Sequence, residues 1–335
     1  MSAPTISMTI DRVAVIGTGV IGASWVAQFL AAGLDVVATD PQPGAEERLR
    51  ASVNEHWAVL QRIGLAAGAS VDRVTFVADA ASAVEHADFV QENGPEREDI
   101  KATLFAALDE ASRPEVVIAS SSSGLPPSTI QAACTLHPER VLVGHPFNPP
   151  HLVPLVEVVG GIATTEAAIE TAMAFYSSIG KRPVRVRKEL PGHITNRLQA
   201  ALWREAYWLV EQGAATVADI DTAISSGPGL RWALLGPFVT QAMSGGEGGL
   251  AHVLEHLGPP MVEWWETFQS PAWTDSLMQT LIAGVDDELV GIDRVEMLRE
   301  RDALLEQLLA AKARSIHLPN EPLPNETLRN ERSQR

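Results

Sequence analysis

Residues 12–40 read RVAVIGTGVIGASWVAQFLAAGLDVVATD, and this stretch decides the fold. Residues 12–17 are a short apolar run ending in glycine, residues 20–32 have helical spacing, and residues 35–39 (DVVAT) are a second apolar run. A strand, a helix and a strand within about thirty residues have the size of one βαβ unit. Gly17, Gly19 and Gly22 spell G-x-G-x-x-G. Alone that pattern is weak. Between a strand and a helix, at the start of a βαβ unit, it marks a dinucleotide-binding turn. Gly17 permits the tight turn, Gly19 lets the backbone approach a pyrophosphate, and Gly22 lets helix and strand pack closely. The anion then faces the free N–H groups of the helix N-terminus. Val20 and Ile21, between the last two glycines, complete the residues expected at this turn.

Asp40 closes the second strand. A carboxylate there accepts hydrogen bonds from the ribose hydroxyls and repels a 2′-phosphate. Pro41, Gln42 and Pro43 supply no arginine to hold such a phosphate. The expected cofactor is NAD, not NADP.

Beyond this unit, strand-like runs recur at 73–77, 87–91, 115–119, 140–144, 153–159 and 183–187, with helical patterns at 97–112 and 165–179. Such alternation predicts an α/β fold with a Rossmann-type, doubly wound, mostly parallel sheet. The texture changes at Leu190-Pro191-Gly192. Helical patterns alone follow, at 193–212, 217–225, 236–243, 247–257, 273–284 and 293–313, with a turn expected at Gly227-Pro228-Gly229. The expected organisation is a nucleotide-binding domain at 10–190, an all-helical substrate and dimerisation domain at 191–314, and a flexible tail at 315–335.

The 335 residues suit two domains, and an apolar content of 46% suits a folded enzyme. A net charge of −17 argues against nucleic acid, because phosphate binding needs a basic face. Cys134 is the single cysteine, so an internal disulfide and a zinc site built on several thiolates are both excluded, and no metal is expected. The N-terminus lacks the basic start and apolar run of a signal peptide, and no apolar stretch is long enough to span a bilayer. A cytoplasmic protein without membrane partners is expected.

Residues 144–157 read GHPFNPPHLVPLVE. His145 and Glu157 bracket a proline-stiffened segment that also holds Asn148. Oxidising an alcohol requires a base for the hydroxyl proton as hydride leaves the carbon, and imidazole is matched to that task near neutral pH. A carboxylate on the far ring nitrogen would fix the tautomer and stabilise the imidazolium. Removing the imidazole is expected to cost more turnover than changing Glu157 to glutamine.

Four motifs, GTGVIG, SSSSGLPPS, GHPFNPP…PLVEVVGG and ELPGHITNRL, resemble the 3-hydroxyacyl-CoA dehydrogenase family in order and spacing over residues 12–260. The resemblance implies His145 as catalytic base and Glu157 as its orienting acid. It implies Ser123 as the serine on the substrate oxygen, with Asn148 and Asn196 as the asparagines of the site. Glu92 and Lys101 fall on positions that line the cofactor pocket. Within the family, DVVATDPQPGAEERLR, DFVQENGPERED, ALWREA and GLRWALLGPF resemble the branch acting on L-carnitine. A branch containing L-gulonate dehydrogenase and lambda-crystallin is a near relative. Pro150 and His151 depart from the carnitine pattern.

Three readings of the substrate follow. An acyl-CoA is polyanionic, and the only lysines are Lys101, Lys181, Lys188 and Lys312. A small free 3-hydroxy acid such as L-carnitine needs a cation for its carboxylate and an aromatic wall for its trimethylammonium group. Arg231 and Trp232 are adjacent and could supply both, with Phe147 as a further aromatic candidate. A crystallin-like protein without activity is the third reading, and the intact set of His145, Glu157, Ser123, Asn148 and Asn196 argues against it. The family resemblance and the apolar stripe of Leu198, Ala201, Leu202 and Leu209 point to a homodimer.

Overall fold

The computed structural model describes residues 9–315, 317 and 318. The expected tail therefore lies almost wholly outside the described residues. Two compact units are present, one running to Asn196 and one beginning at Arg197.

The first unit is built on eight strands. β1 (Arg12–Ile16), α1 (Val20–Ala31) and β2 (Asp35–Thr39) form the opening βαβ unit. α2 (Ala45–Ile63), β3 (Val74–Phe76), α3 (Ala80–Val84) and β4 (Phe89–Glu92) follow. α4 (Glu98–Ala111), β5 (Val117–Ser120), α5 (Pro127–Gln131) and β6 (Val141–Pro146) continue the alternation. β7 (Leu155–Gly160), α6 (Glu166–Ser178) and β8 (Arg182–Val186) complete it. The sheet order is β3-β2-β1-β4-β5-β6-β7-β8. Every neighbouring pair is parallel except β6 and β7. The strand order reverses between β1 and β4, where open sheets of this kind bind ligands outside the carboxyl ends of their strands.

Side chains of β1 divide between two cores. Val13 and Val15 join Trp25 and Phe29 of α1 with Phe175 and Tyr176 of α6 on one face. Ala14 and Ile16 join Phe105 and Leu108 of α4 with Ile130 of α5 on the other. This is the period-two alternation of a strand covered on both sides. α2 comes without a sequence-based expectation. It buries a single stripe of Ala45, Leu49, Val53, Leu60 and Ile63 in an otherwise charged helix, so its apolar signal is thin.

The second unit is all-helical, as expected. α7 (Thr195–Glu211) enters it, and α8 (Val217–Ser225), α9 (Pro228–Ser244), α10 (Gly249–Thr267), α11 (Asp275–Glu288) and α12 (Arg294–Ala313) follow. α9 packs on α8 and α10, and α8 packs on α11. The turn expected at Gly227-Pro228-Gly229 falls at Ser226 and Gly227, between α8 and α9. Only Gly227 lies outside the helix, and Pro228 opens α9 at a position where a missing N–H costs nothing. A further break comes inside α9 at Gly236, with φ +73, before Pro237. Among the described residues, no helix is long and apolar enough to cross a membrane.

Candidate active site

Gly17 and Gly19, Ser123, and Phe147 and Asn148 lie on the loops after β1, β5 and β6, while Glu92 and His145 lie at or near the ends of β4 and β6. Gly17 has φ +87, and a side chain there would also meet the Asn93 carbonyl at 2.9 Å. A Cβ on Gly22 would collide with the Gly17 carbonyl oxygen. At Gly19 a Cβ would meet nothing within 4 Å, so the backbone faces open space. The first turn of α1 has neither a side-chain cap nor an acidic residue. This combination fits a pyrophosphate: a bare backbone approach onto uncapped N–H groups. Val20 is exposed on the first turn of α1, whereas Ile21 is half-buried and packs onto the core.

Asp40 stands at the end of β2. Its Oδ2 accepts from the Thr18 N–H at 2.8 Å and its Oδ1 from the Gln42 N–H at 2.9 Å. These bonds, with one from Thr18 Oγ1 to Oδ2 at 3.3 Å, lock the carboxylate beside the glycine turn, and Oδ1 keeps a lone pair for a ribose hydroxyl.

Glu92 and Lys101, expected at the cofactor pocket, form a buried ion pair. They are 0% and 1% exposed, and Lys101 Nζ lies 2.8 and 2.9 Å from the two carboxylate oxygens of Glu92. The pair works from beneath: Glu92 accepts from the Gly94 N–H at 2.6 Å and from Ser120 Oγ at 2.5 Å, fixing the loop after β4. The carboxylate facing the serine loop is Glu96, which the sequence reading missed. It accepts from Ser122 Oγ at 2.7 Å, the Gly124 N–H at 2.8 Å and the Leu125 N–H at 3.3 Å. Burial raises its pKa, but the bonds from Ser122 and Gly124, the Lys101 charge and the Leu125 bond together hold it below the usual carboxylate value. Its acidic setting in NGPERED gives no hint of this role.

His145 and Glu157 are directly opposed across the antiparallel β6–β7 pair. Both are buried, and His145 Nδ1 lies 2.9 Å from Glu157 Oε2. The other carboxylate oxygen accepts from the backbone N–H groups of Ile194 at 3.0 Å and Thr195 at 2.9 Å. Burial pushes the Glu157 pKa up, but the bonds from His145, Thr195 and Ile194 outweigh it and hold the carboxyl below its ordinary value. A carboxylate only accepts, so Nδ1 carries the proton and Nε2 keeps its lone pair. Gly144 precedes the histidine because a Cβ there would occupy the place of the Tyr176 hydroxyl.

The remaining residues gather around this pair. Asn196 Nδ2 donates to the Ser123 carbonyl at 3.0 Å, and the exposed Ser123 hydroxyl lies 3.5 Å from Glu96 Oε1. The Phe147 ring meets the His145 ring edge-on at 5.4 Å between centroids. Asn148 is exposed. His193, which the sequence reading passed over, is fully buried with its ring 5.5 Å from that of His145. Its Nε2 donates to the Ser122 carbonyl at 3.1 Å. Burial pushes its pKa down and the His145 charge adds to this, against the Ser122 bond and the Glu157 and Glu96 charges, which raise it. His193 is also the non-glycine residue with positive φ (+51) among those described. Arg231 and Trp232 belong to the second unit, where both are exposed near the start of α9.

A dinucleotide-binding turn and a histidine–carboxylate pair at the carboxyl edge of one sheet define an NAD-dependent oxidoreductase acting on a CH–OH group. The chain belongs to the 3-hydroxyacyl-CoA dehydrogenase family: the family's NAD-binding domain matches residues 12–190 and its C-terminal domain residues 192–280. An L-carnitine dehydrogenase of Streptomyces coelicolor is 49% identical over 91% of this chain and 96% of its own length. One from Streptomyces griseus subsp. griseus is 47% identical over 93% of each. Among solved structures, an NAD-dependent dismutase, 5-formyl-3-hydroxy-2-methylpyridine 4-carboxylic acid 5-dehydrogenase, superposes with a TM-score of 0.73 at 30% identity. It is matched over 90% of this chain and 97% of its own.

Proposed function

We propose that the protein oxidises L-carnitine to 3-dehydrocarnitine. The observation that carries this reading is the near-full-length similarity to L-carnitine dehydrogenases, joined to a complete His145–Glu157 pair. His145 Nε2 takes the hydroxyl proton as the C–O bond gains double-bond character. Glu157 holds the ring in the tautomer that frees Nε2, and its charge stabilises the imidazolium that forms. The Ser123 hydroxyl and the Asn196 amide hold the carbinol oxygen, with Asn148 beside them. Gly17, Gly19, Val20, Ile21 and Gly22 would hold the pyrophosphate of NAD and Asp40 its ribose, and the bound cofactor would supply the hydride acceptor for the carbinol carbon. Arg231 grips the substrate carboxylate bidentately, and Trp232 or Phe147 faces the trimethylammonium group, a contact worth about 0.5–2 kcal/mol.

The test is NADH formation from L-carnitine, D-carnitine, L-gulonate, 3-hydroxybutyrate and 3-hydroxybutyryl-CoA. L-carnitine is expected to give the highest kcat/KM. Much faster oxidation of L-gulonate or the acyl-CoA would overturn the substrate while leaving the family intact. Arg231→Lys should raise the KM for L-carnitine by about tenfold, since a point ammonium cannot make two parallel bonds.

We also propose a cytoplasmic homodimer assembled through the helical unit. There Leu198, Leu202, Trp203, Trp264, Trp265 and Trp273 are all exposed, and apolar area on this scale favours association. Light scattering at micromolar concentration should give the mass of two chains; a single-chain mass contradicts the assembly.

A further inference from the structure

Pro150 and His151 take no part in the chemistry above, yet His151 is 2% exposed. Its backbone N–H donates to Ser24 Oγ at 2.9 Å, and its ring Nδ1 lies 2.8 Å from the same oxygen. Ser24 is itself buried, on α1, two residues beyond the last glycine of the cofactor turn. The hydroxyl accepts from the N–H and gives its own proton to Nδ1. The His151 ring also stacks on His56 of α2, with centroids 4.1 Å apart.

The next residue of α1 is engaged as well. Lys181 Nζ sits 5.4 Å from the centre of the Trp25 ring. The same Nζ donates to the carbonyls of Pro150 and Val153, the latter at 2.9 Å. The segment 147–153 begins two residues after His145 and carries Phe147 and Asn148. It is therefore held at three backbone points, two by Lys181 and one by Ser24. One anchor is a residue of α1, and the amine that makes the other two sits against the ring of the next residue of that helix, whose first turn is the expected pyrophosphate site.

We propose that His151, through Ser24, is a positioning residue that ties the segment after the catalytic base to the dinucleotide-binding helix, so that base and cofactor keep a fixed separation. The proposal rests on the reading of His145 as base. A helix moves as a rod, so a shift at its first turn reaches Ser24 undamped, and the bond to His151 passes it to the segment. Misplacement of a reacting group by about 1 Å can cost about a hundredfold in rate.

The experiment combines hydrogen exchange of the 147–153 amides, with and without NAD, with NAD affinity and turnover. Ser24→Ala and His151→Phe are made singly and together. In the unaltered protein NAD is expected to slow exchange across the segment. Each single variant should lose that NAD-dependent protection and drop kcat about ten- to a hundredfold, with NAD affinity changed less than about threefold. The double variant should be no worse than either single one, because both break one link. His151→Asn, whose amide oxygen falls where Nδ1 sits, should recover most of both readouts. If Ser24→Ala does not fold, Ser24→Thr and Ser24→Val give the same comparison at matched shape, with and without the hydroxyl. Retained NAD-dependent protection with kcat within twofold of the parent, or additive losses in the double variant, would overturn the link. Should L-carnitine prove not to be the substrate, the exchange and affinity arms still decide the matter, since neither uses a substrate.

Discussion

Changing Glu157 to glutamine isolates what the carboxylate does. Three donors surround it: His145 Nδ1 at 2.9 Å, and the Ile194 and Thr195 N–H groups at 3.0 and 2.9 Å. Glutamine has one oxygen and one NH2, so it cannot accept on both sides. If its NH2 faces the two backbone donors, both lose their partner at a site 1% exposed. Each unsatisfied buried donor costs about 1–3 kcal/mol, so this orientation is worse by about 2–6 kcal/mol. The NH2 therefore turns to His145. Nδ1 must then present a lone pair, the ring proton moves to Nε2, and the nitrogen that should act as base is blocked.

The expected loss in kcat is about 10⁴-fold, the size seen when an amide inverts a catalytic histidine's tautomer. That equals or exceeds the roughly 10²–10⁴-fold loss on removing a general base. It reverses the ranking expected from sequence, where glutamine counts only as a loss of orientation. The assay is steady-state NADH formation beside NAD binding, which should stay within about twofold because Glu157 is remote from the glycine turn in the bonding network. A Glu157→Gln enzyme keeping more than about a tenth of kcat would refute the tautomer argument. Stability adds a check of sign. The folded pKa of Glu157 lies below its ordinary 4.5. Its contribution is therefore complete above that value and is lost only as pH falls through the lowered one. Parent and variant should show parallel stability from neutral pH down to about 5 and converge in stronger acid.

Asp40→Ser should weaken NAD binding by about tenfold or more and narrow the preference over NADP, because the ribose acceptor and the anchor on the Thr18 N–H go together; calorimetric titration with both dinucleotides checks this, and equal use of NADP by the parent would refute the assignment. Lys181 is fully buried, and burial pushes its pKa down from 10.5 to about 7. The unfolded chain thus binds the extra proton above about pH 7, and stability rises with pH by up to about 1.4 kcal/mol per unit. Above about pH 9 the raised pKa values of Cys134, about 12, and of Tyr176 pull the other way. Urea unfolding of Lys181→Met between pH 7 and 9 should lack the rise; an unchanged slope would show that Lys181 stays charged when folded.

Elements with a strong period were legible in the sequence, and elements with a thin one were not. β1, α1 and β2 could be placed within a residue or so because G-x-G-x-x-G sits between two apolar runs. α2 escaped because its core stripe is set in a charged surface, and α3 and α5 because five residues carry too little pattern. The candidate residues of the site were legible as types in motifs: His145, Glu157, Ser123 and Asn196. Their supports were not. His193 holds the serine loop through a bond to a main-chain carbonyl, and Glu96 through bonds to backbone N–H groups as well as to Ser122. Contacts to backbone leave no residue-specific mark at the other end.

The sequence distance between His145 and Glu157 explains why this sheet turns back once. Twelve positions separate them, and the connection from Pro146 to Leu155 is too short for a parallel crossover, which needs a dozen or more residues and normally a helix. An antiparallel return is the available solution, and it places the two residues directly opposite, on the same face, as a cross-strand pair. A slip of one residue would send Glu157 to the other face. Register is therefore the variable on which the pair depends. It is held from both ends: Lys181 grips the connection at Pro150 and Val153, and β8 continues the sheet beyond β7 in parallel. Glu157 then reaches two ways along one carboxylate, to the base and to the N–H groups of Ile194 and Thr195 at the start of α7. The start of the helix that brings Asn196 is thereby fixed to the base itself. The geometry of the histidine, its proton and the start of the helix that carries the Asn196 amide follows from one strand reversal.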